Sequence, residues 1–129
     1  MPSIVTHARQ ERGIYGENLA TEALASRGYA ITERRYRTRY GEIDIVAWDG
    51  PTIVFVEVRF KSAGEFGTAA DSVTLRKQRK VIRMAVEYLT MRGLYDRCPV
   101  RFDVVAIDEQ PSGEPRITLY RDAFDVTRG

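Results

Sequence analysis

One cysteine and one histidine leave little room for several kinds of chemistry. Cys98 has no partner within the chain, so an internal disulfide is excluded and a reducing, cytoplasmic setting is expected. Zinc centres are built from clusters of Cys and His, and the only histidine, His7, stands in a polar amino-terminal stretch. Ser-His and Cys-His catalysis lack a basis for the same reason, which leaves carboxylate, lysine and metal chemistry. Long hydrophobic runs are missing too. None approaches the roughly 18 residues of a membrane span, and Met1-Pro2-Ser3-Ile4 is not the opening expected of a secretory signal, so no membrane partner is expected. A large excess of one charge is also absent, with 20 Lys and Arg against 18 Asp and Glu. A polyanion partner must therefore be argued from where the bases sit, not from their number.

What is present is a globular composition, 43% hydrophobic in 129 residues, expected to fold as one domain over 1–129 with its core in about 13–107. Ala20, Ala23, Leu24 and Arg27 fall at helical spacing and Gly28 follows as a stop, predicting a helix from about Gly13 to Arg27. Tyr29 to Thr32 reads as a short strand leading into an arginine-rich segment. Gly41 to Trp48 and Ile53 to Arg59 read as two strands joined by the turn Asp49-Gly50-Pro51-Thr52, the second apolar on both faces and so interior. Residues 61–68, polar with two glycines, read as a loop leaving the second strand. A second helix is expected from Ser72 or Thr74 to Arg92, with Leu75, Gln78, Ile82, Ala85 and Leu89 as its inward stripe. A buried strand from Val100 to Ile107 and a weaker one from Arg116 to Tyr120 complete the order α-β-β-β-α-β-β. That order predicts an α/β fold with a single mixed sheet flanked by helices.

Two acids interrupt the apolar strands. If Trp48 lies opposite Ile53, paired positions sum to 101, and Asp44 then faces Glu57. Opposed residues hold their Cβ atoms roughly 5 Å apart. At an effective dielectric near 20, two ionised carboxylates at that distance repel by on the order of 3 kcal/mol, which a shared proton or a divalent cation must offset. Mg²⁺ or Mn²⁺ suits such a pair, because hard cations take oxygen ligands and are often held by one or two carboxylates. The alternative is a solvated face on which Arg59 and Lys61 neutralise the acids. Period two places both bases on the face of Glu57, so the strand shows an acid followed by two bases.

Asp44, a turn, and Glu57-Val58-Arg59 resemble the D...ExK signature of the PD-(D/E)XK nuclease superfamily. Gly16-Glu17-x-x-Ala20, Gly28-Tyr29, Gly41-Glu42-Ile43-Asp44-Ile45, Val54 to Arg59, Thr74-x-x-Lys77-Gln78 and Arg101-Phe102-Asp103-Val104-Val105 together resemble the YraN-like family of bacterial proteins, related by fold to Holliday-junction resolvases. The resemblance covers about Gly13 to Ile107. It implies a restriction-endonuclease-like α-β-β-β-α-β core with an extra carboxy-terminal strand. It also implies a Mg²⁺- or Mn²⁺-dependent phosphodiesterase whose metal is held by Asp44 and Glu57 with the Val58 carbonyl, and a catalytic set that adds Arg59, Lys61 and the helix glutamate Glu17. Glu17 shares a helix stripe with Ala20 and Leu24. The other reading of Glu17 is a first-turn glutamate favoured by the helix dipole. Where the superfamily has lysine this chain has Arg59, which can orient water or stabilise charge but cannot act as a base. Lys61, two residues on, is the replacement the sequence offers.

Arg34, Arg35, Arg37 and Arg39 interleave with Tyr36 and Tyr40, and Arg76 to Lys80 with Arg83 add a basic helix face. Arginines suit phosphates and tyrosines can stack on unpaired bases, so Arg34 to Tyr40, with Lys77 and Gln78 from the helix, form the expected nucleic-acid surface. Gln78 needs a polar partner, at the site or beneath the sheet edge. Asp103, an acid in a buried strand, needs one too, with Arg101 the candidate. The functional expectation is hydrolysis of nucleic acid, DNA favoured, selective for structure of a kind the sequence leaves open. Its rival is a nucleic-acid-binding module whose chemistry has weakened. Oligomeric state is left open, a homodimer included.

Overall fold

The computed structural model describes residues 4–62 and 69–125. The loop expected at 61–68 lies outside them except for its first two residues. The chain runs α1 (Ile4–Ser26), β1 (Ala30–Thr38), β2 (Gly41–Asp49), β3 (Thr52–Lys61), a short 3-10 turn (Ala69–Ser72), α2 (Leu75–Met91), β4 (Val100–Asp108) and β5 (Arg116–Phe124). One five-stranded sheet has the order β1-β2-β3-β4-β5, antiparallel throughout except for the parallel pair β3–β4. Parallel neighbours need a crossover, and α2 lies in that crossover. The α/β order is the one the sequence predicts.

Each face of the sheet has its own core. Ala20 and Leu24 of α1, four residues apart, pack with Ile45, Ala47, Val54, Val56, Val105 and Ile107. On the other face Val81, Met84, Ala85, Tyr88 and Leu89 of α2 pack with Ile43, Val46, Ile53, Phe55, Phe102 and Val104. Strand β3 therefore gives alternate residues to both helices, as an interior strand must. The inward stripe of α2 includes Ala85 and Leu89 of the expected one and differs in the rest. Leu75 is 52% exposed and Ile82 only partly buried, while Val81, Met84 and Tyr88 point inward. The helix lies over β2 and β3, so the face turned toward β4 and β5 is left lining an apolar groove beside Phe102 and Phe124.

Both helices stop by the same device. At the end of α1 the N–H of Gly28 donates to Ala25 and that of Tyr29 to Leu24; at the end of α2 Gly93 donates to Thr90 and Leu94 to Leu89. These paired bonds satisfy the last carbonyls, with glycine in the left-handed region as they require. The first stop sets Tyr29 above β4, where its hydroxyl donates to the fully buried Asp103 at 2.8 Å. Asp103 also accepts from Arg101 Nε (2.9 Å) and from the Asp122 amide (2.9 Å), so its expected pairing with Arg101 is present within a wider network. Arg101 in turn reaches Asp49 at 2.9 Å.

Candidate active site

The β2–β3 register is the expected one. Trp48 pairs with Ile53 and Ile45 with Val56, which makes Asp44 and Glu57 the next positions along. There the ladder opens. The Val58 N–H donates to Asp44 Oδ2 at 2.8 Å, so an aspartate side chain caps an amide of β3. The neighbouring strand is strained at the same level, where Arg35 adopts φ 52 between the pairs Arg34–Ile45 and Tyr36–Ile43. Glu57, 3% exposed, is hydrogen-bonded to Asp44. Burial, then the Asp44 charge and that hydrogen bond, push the Glu57 carboxyl up to about 9, against the opposing pull of Arg59 and Lys77. At neutral pH Glu57 therefore keeps its proton and donates it to its neighbour.

On the α2 side the acids open into a cleft of about 270 Å³ lined by Asp44, Glu57, Arg59, Lys77, Lys80 and Met84. At about 30 Å³ per water, a cleft of that size has room for several waters. The Arg59 Nε atom is buried and lacks a hydrogen-bond partner among the described residues. Burial and the Arg59 charge lower the Lys77 amine below its ordinary value. Lys80 lies across the β1–β2 turn: a Cβ at Gly41 would fall 2.9 Å from its Cε, and Gly41 has φ 145 besides. The positive φ is what favours glycine there, since the end of the Lys80 side chain can move aside.

Asp44 and Val58 also line a second cleft, on the α1 side, with Glu17, Arg35 and Phe60. Glu17 is 7% exposed and accepts from Arg34 Nε at 3.0 Å and Arg35 Nε at 2.7 Å. Because α1 begins at Ile4, Glu17 sits deep in the helix, and the dipole reading of it as a first-turn residue is corrected. It reaches the neighbourhood of Asp44 already engaged by two guanidinium groups, an arrangement that ties α1 to the strained part of β1.

Asp44, Glu57 and Arg59 thus come together, and Glu17 adjoins them across Asp44. Lys61 does not line either cleft; it is paired in the ladder with Asp108 at the outer end of β3. Gln78 turns away, donating to the Val73 carbonyl at 3.2 Å. Lys77, grouped by sequence with the nucleic-acid surface, is the lysine that enters the site. The signal for it was present. Lys77, Val81, Met84 and Tyr88 follow helical spacing, and Lys77 is the polar start of the buried stripe. Thr74 caps the helix by accepting from the Lys77 N–H at 3.2 Å, which fixes that first turn.

The arginine-rich segment is part of β1. Tyr36 packs edge-on against Tyr88 and accepts from Arg92, whose guanidinium also covers the Tyr88 ring at 3.8 Å. Tyr40 lies under Arg83 at 4.1 Å and accepts from it at 3.0 Å. Both rings thus brace α2 against the β1–β2 hairpin, with arginines on their faces. Arg37 and Arg39 are exposed at the hairpin tip, and with Lys80 and Arg83 they border the approach to the carboxylates.

The sequence is similar along most of its length to a set of bacterial proteins, and a family model described as "Uncharacterised protein family UPF0102" matches residues 16–107. The chain belongs to the UPF0102 family. A UPF0102 protein of Moorella thermoacetica is 50% identical over 103 residues, covering 80% of this chain and 85% of the relative. One from Chlorobium chlorochromatii is 43% identical over 121 residues, covering 90% and 92%. One from Nitrosococcus oceani is 42% identical over 117 residues, covering 91% and 94%. The UPF0102 match includes Glu17, Asp44, Glu57, Arg59 and Lys77 and ends one residue short of the end of β4, leaving β5 outside it. Among the described residues no helix is long and apolar enough to cross a membrane.

Proposed function

We propose that this protein hydrolyses phosphodiesters of nucleic acid, DNA favoured, with Mg²⁺ or Mn²⁺ held by Asp44 and Glu57. The observation that carries this reading is the pair of the buried Glu57 and the half-buried Asp44, with Arg59 and Lys77 in the same cleft. A pair of acids that remains half protonated in isolation has a strong electrostatic preference for a divalent ion, and two carboxylates suffice for a hard cation whose other ligands are water or phosphate. No group of three or more Asp, Glu, His or Cys able to hold a metal occurs among the described residues, so the reading is of a site completed by substrate oxygens. A bound cation supplies Lewis acidity toward the phosphoryl group. Arg59 and Lys77 supply positive charge where negative charge grows on the phosphoryl oxygens, and Asp44, through Val58, keeps the strand edge in place. The exposed bases of the β1–β2 tip and α2 hold the flanking backbone.

The test is incubation of the protein with branched, flapped and single-stranded DNA and RNA in Mn²⁺, beside the Asp44→Ala variant. Metal-dependent cleavage lost in the variant supports the reading. Tight binding of every substrate with no cleavage by wild type would replace it with that of a binding module. Binding itself should weaken steeply with salt, and the slope of log affinity against log salt should drop by roughly 1 on replacing Arg37 or Arg39, as for loss of one phosphate contact. Replacing Arg34 or Arg35 should act differently. Their guanidinium groups are committed to Glu17, so the principal loss is expected in stability.

A further inference from the structure

Arg59 and Lys77 enter one cleft from different elements, the end of β3 and the first turn of α2. Neither makes a direct ion pair among the described residues, although Asp44 and Glu57 stand in the same cleft. Arg59 presents a buried Nε–H without an acceptor. A buried donor left unmet is costly, and because Arg59 lines the cleft a small shift of its side chain lets an acceptor held there complete it. The strands bring the acids Glu42, Asp44 and Glu57 together with Arg59, and the helix brings the bases Lys77 and Lys80.

We infer that the α2 side of this cleft is a phosphate subsite formed by Arg59 and Lys77, in which the working amine comes from the helix and not from Lys61 of the strand. The inference rests on the phosphodiester reading above and deepens it. A phosphate oxygen is an acceptor only, which suits the Arg59 Nε–H, and its charge suits the Lys77 ammonium. Lys77 is held for that task. Its backbone N–H is bonded to Thr74, and its position continues the buried row Val81, Met84 and Tyr88. Lys61 shares a strand face with Glu57 but lies beyond the cleft.

Inorganic phosphate is the probe. It is titrated into ¹⁵N-labelled protein in saturating Mg²⁺ while the Arg59 Nε–H resonance is followed. A saturable shift of that resonance is expected in wild type. Lys77→Met, which keeps the aliphatic stem against Val81, should weaken phosphate by about tenfold or more, the worth of one charge-assisted hydrogen bond. Lys61→Ala should change it less than about twofold, as for a half-buried charge that lines neither cleft. A Lys61→Ala effect equal to that of Lys77→Met, or a wild-type Arg59 resonance that never moves, overturns the subsite. Failure of the wider reading looks different. Lys77-dependent phosphate binding with no cleavage of any nucleic acid keeps the subsite and ends the nuclease proposal, whereas metal-dependent cleavage untouched by Lys77→Met does the reverse.

Discussion

Without divalent metal, the protein should lose stability as pH rises from about 4.5 to about 9, and Glu57→Gln should abolish that part of the loss. Glu57 holds its proton up to about 9 in the folded chain, against 4.5 as its ordinary value. The unfolded chain therefore releases a proton across this window that the folded chain retains. A raised folded value means that the stabilisation is complete below the unfolded value and is lost as pH rises through the folded one. At pH 7 the accumulated cost is on the order of 3 kcal/mol, or roughly 10 °C in melting temperature for a domain of this size. Glutamine can donate to Asp44 at every pH, as the protonated glutamate does, so the variant should melt higher than wild type at neutral and alkaline pH. Saturating Mg²⁺ should reverse the order. It binds only the folded site and favours both carboxylates ionised, so it should stabilise wild type increasingly as pH rises and leave Glu57→Gln little changed. Melting curves at several pH values, with and without Mg²⁺, decide this; parallel pH profiles for wild type and variant would sink the assignment of a proton to Glu57.

Asp103→Ala should be the most damaging single change away from the clefts, at about 3–5 kcal/mol, the cost of breaking a buried ion pair by removing one partner. Asp103 is fully buried and accepts from Tyr29, Arg101 and the Asp122 amide. Its removal strands a guanidinium whose remaining carboxylate partner, Asp49, is shared with Arg121. The Tyr29 phenol gives a second readout. Burial first, and then the bond to Asp103, raise it above its ordinary value, so its titration should move down in the variant. Denaturant unfolding and the ultraviolet titration of tyrosine test the two halves separately. A variant as stable as wild type would show that the network is replaceable by packing alone.

The parts of this site that sequence made legible are those set by local geometry. A tight turn after Trp48 fixes the β2–β3 register, and with it the meeting of Asp44 and Glu57, because a slip of one residue would have exposed an entire apolar face. The choice between Lys77 and Gln78 depends on something less local. Helix α2 carries an apolar surface wider than one row, with Leu75 and Ile82 at one margin, Ala85 and Leu89 in the middle and Val81, Met84 and Tyr88 at the other, and which margin turns inward is decided by where the helix rests on the sheet. It rests over β2 and β3, and this brings in the row that Lys77 begins. The positive φ of Arg35 had no sequence signal, since nothing in an arginine foretells it; the bonds of Glu17 to both guanidinium groups sustain it from another element. Strand β1 likewise extends through the charged run Glu33 to Arg37 because β2 offers a partner for it.

The strand order has a consequence for how the site comes into being. Because spatial order follows chain order, no strand must be threaded between two already paired, and every antiparallel contact joins near neighbours in sequence. Such local pairings close at small entropic cost, and among the described strand pairs the long closure is the crossover that sets β4 beside β3. Asp44 and Glu57 both lie before that closure, in one continuous hairpin, while Lys77 arrives with the helix inside it. The two acids and Arg59 are thus placed by one local hairpin, and the lysines of α2 reach them through the long crossover.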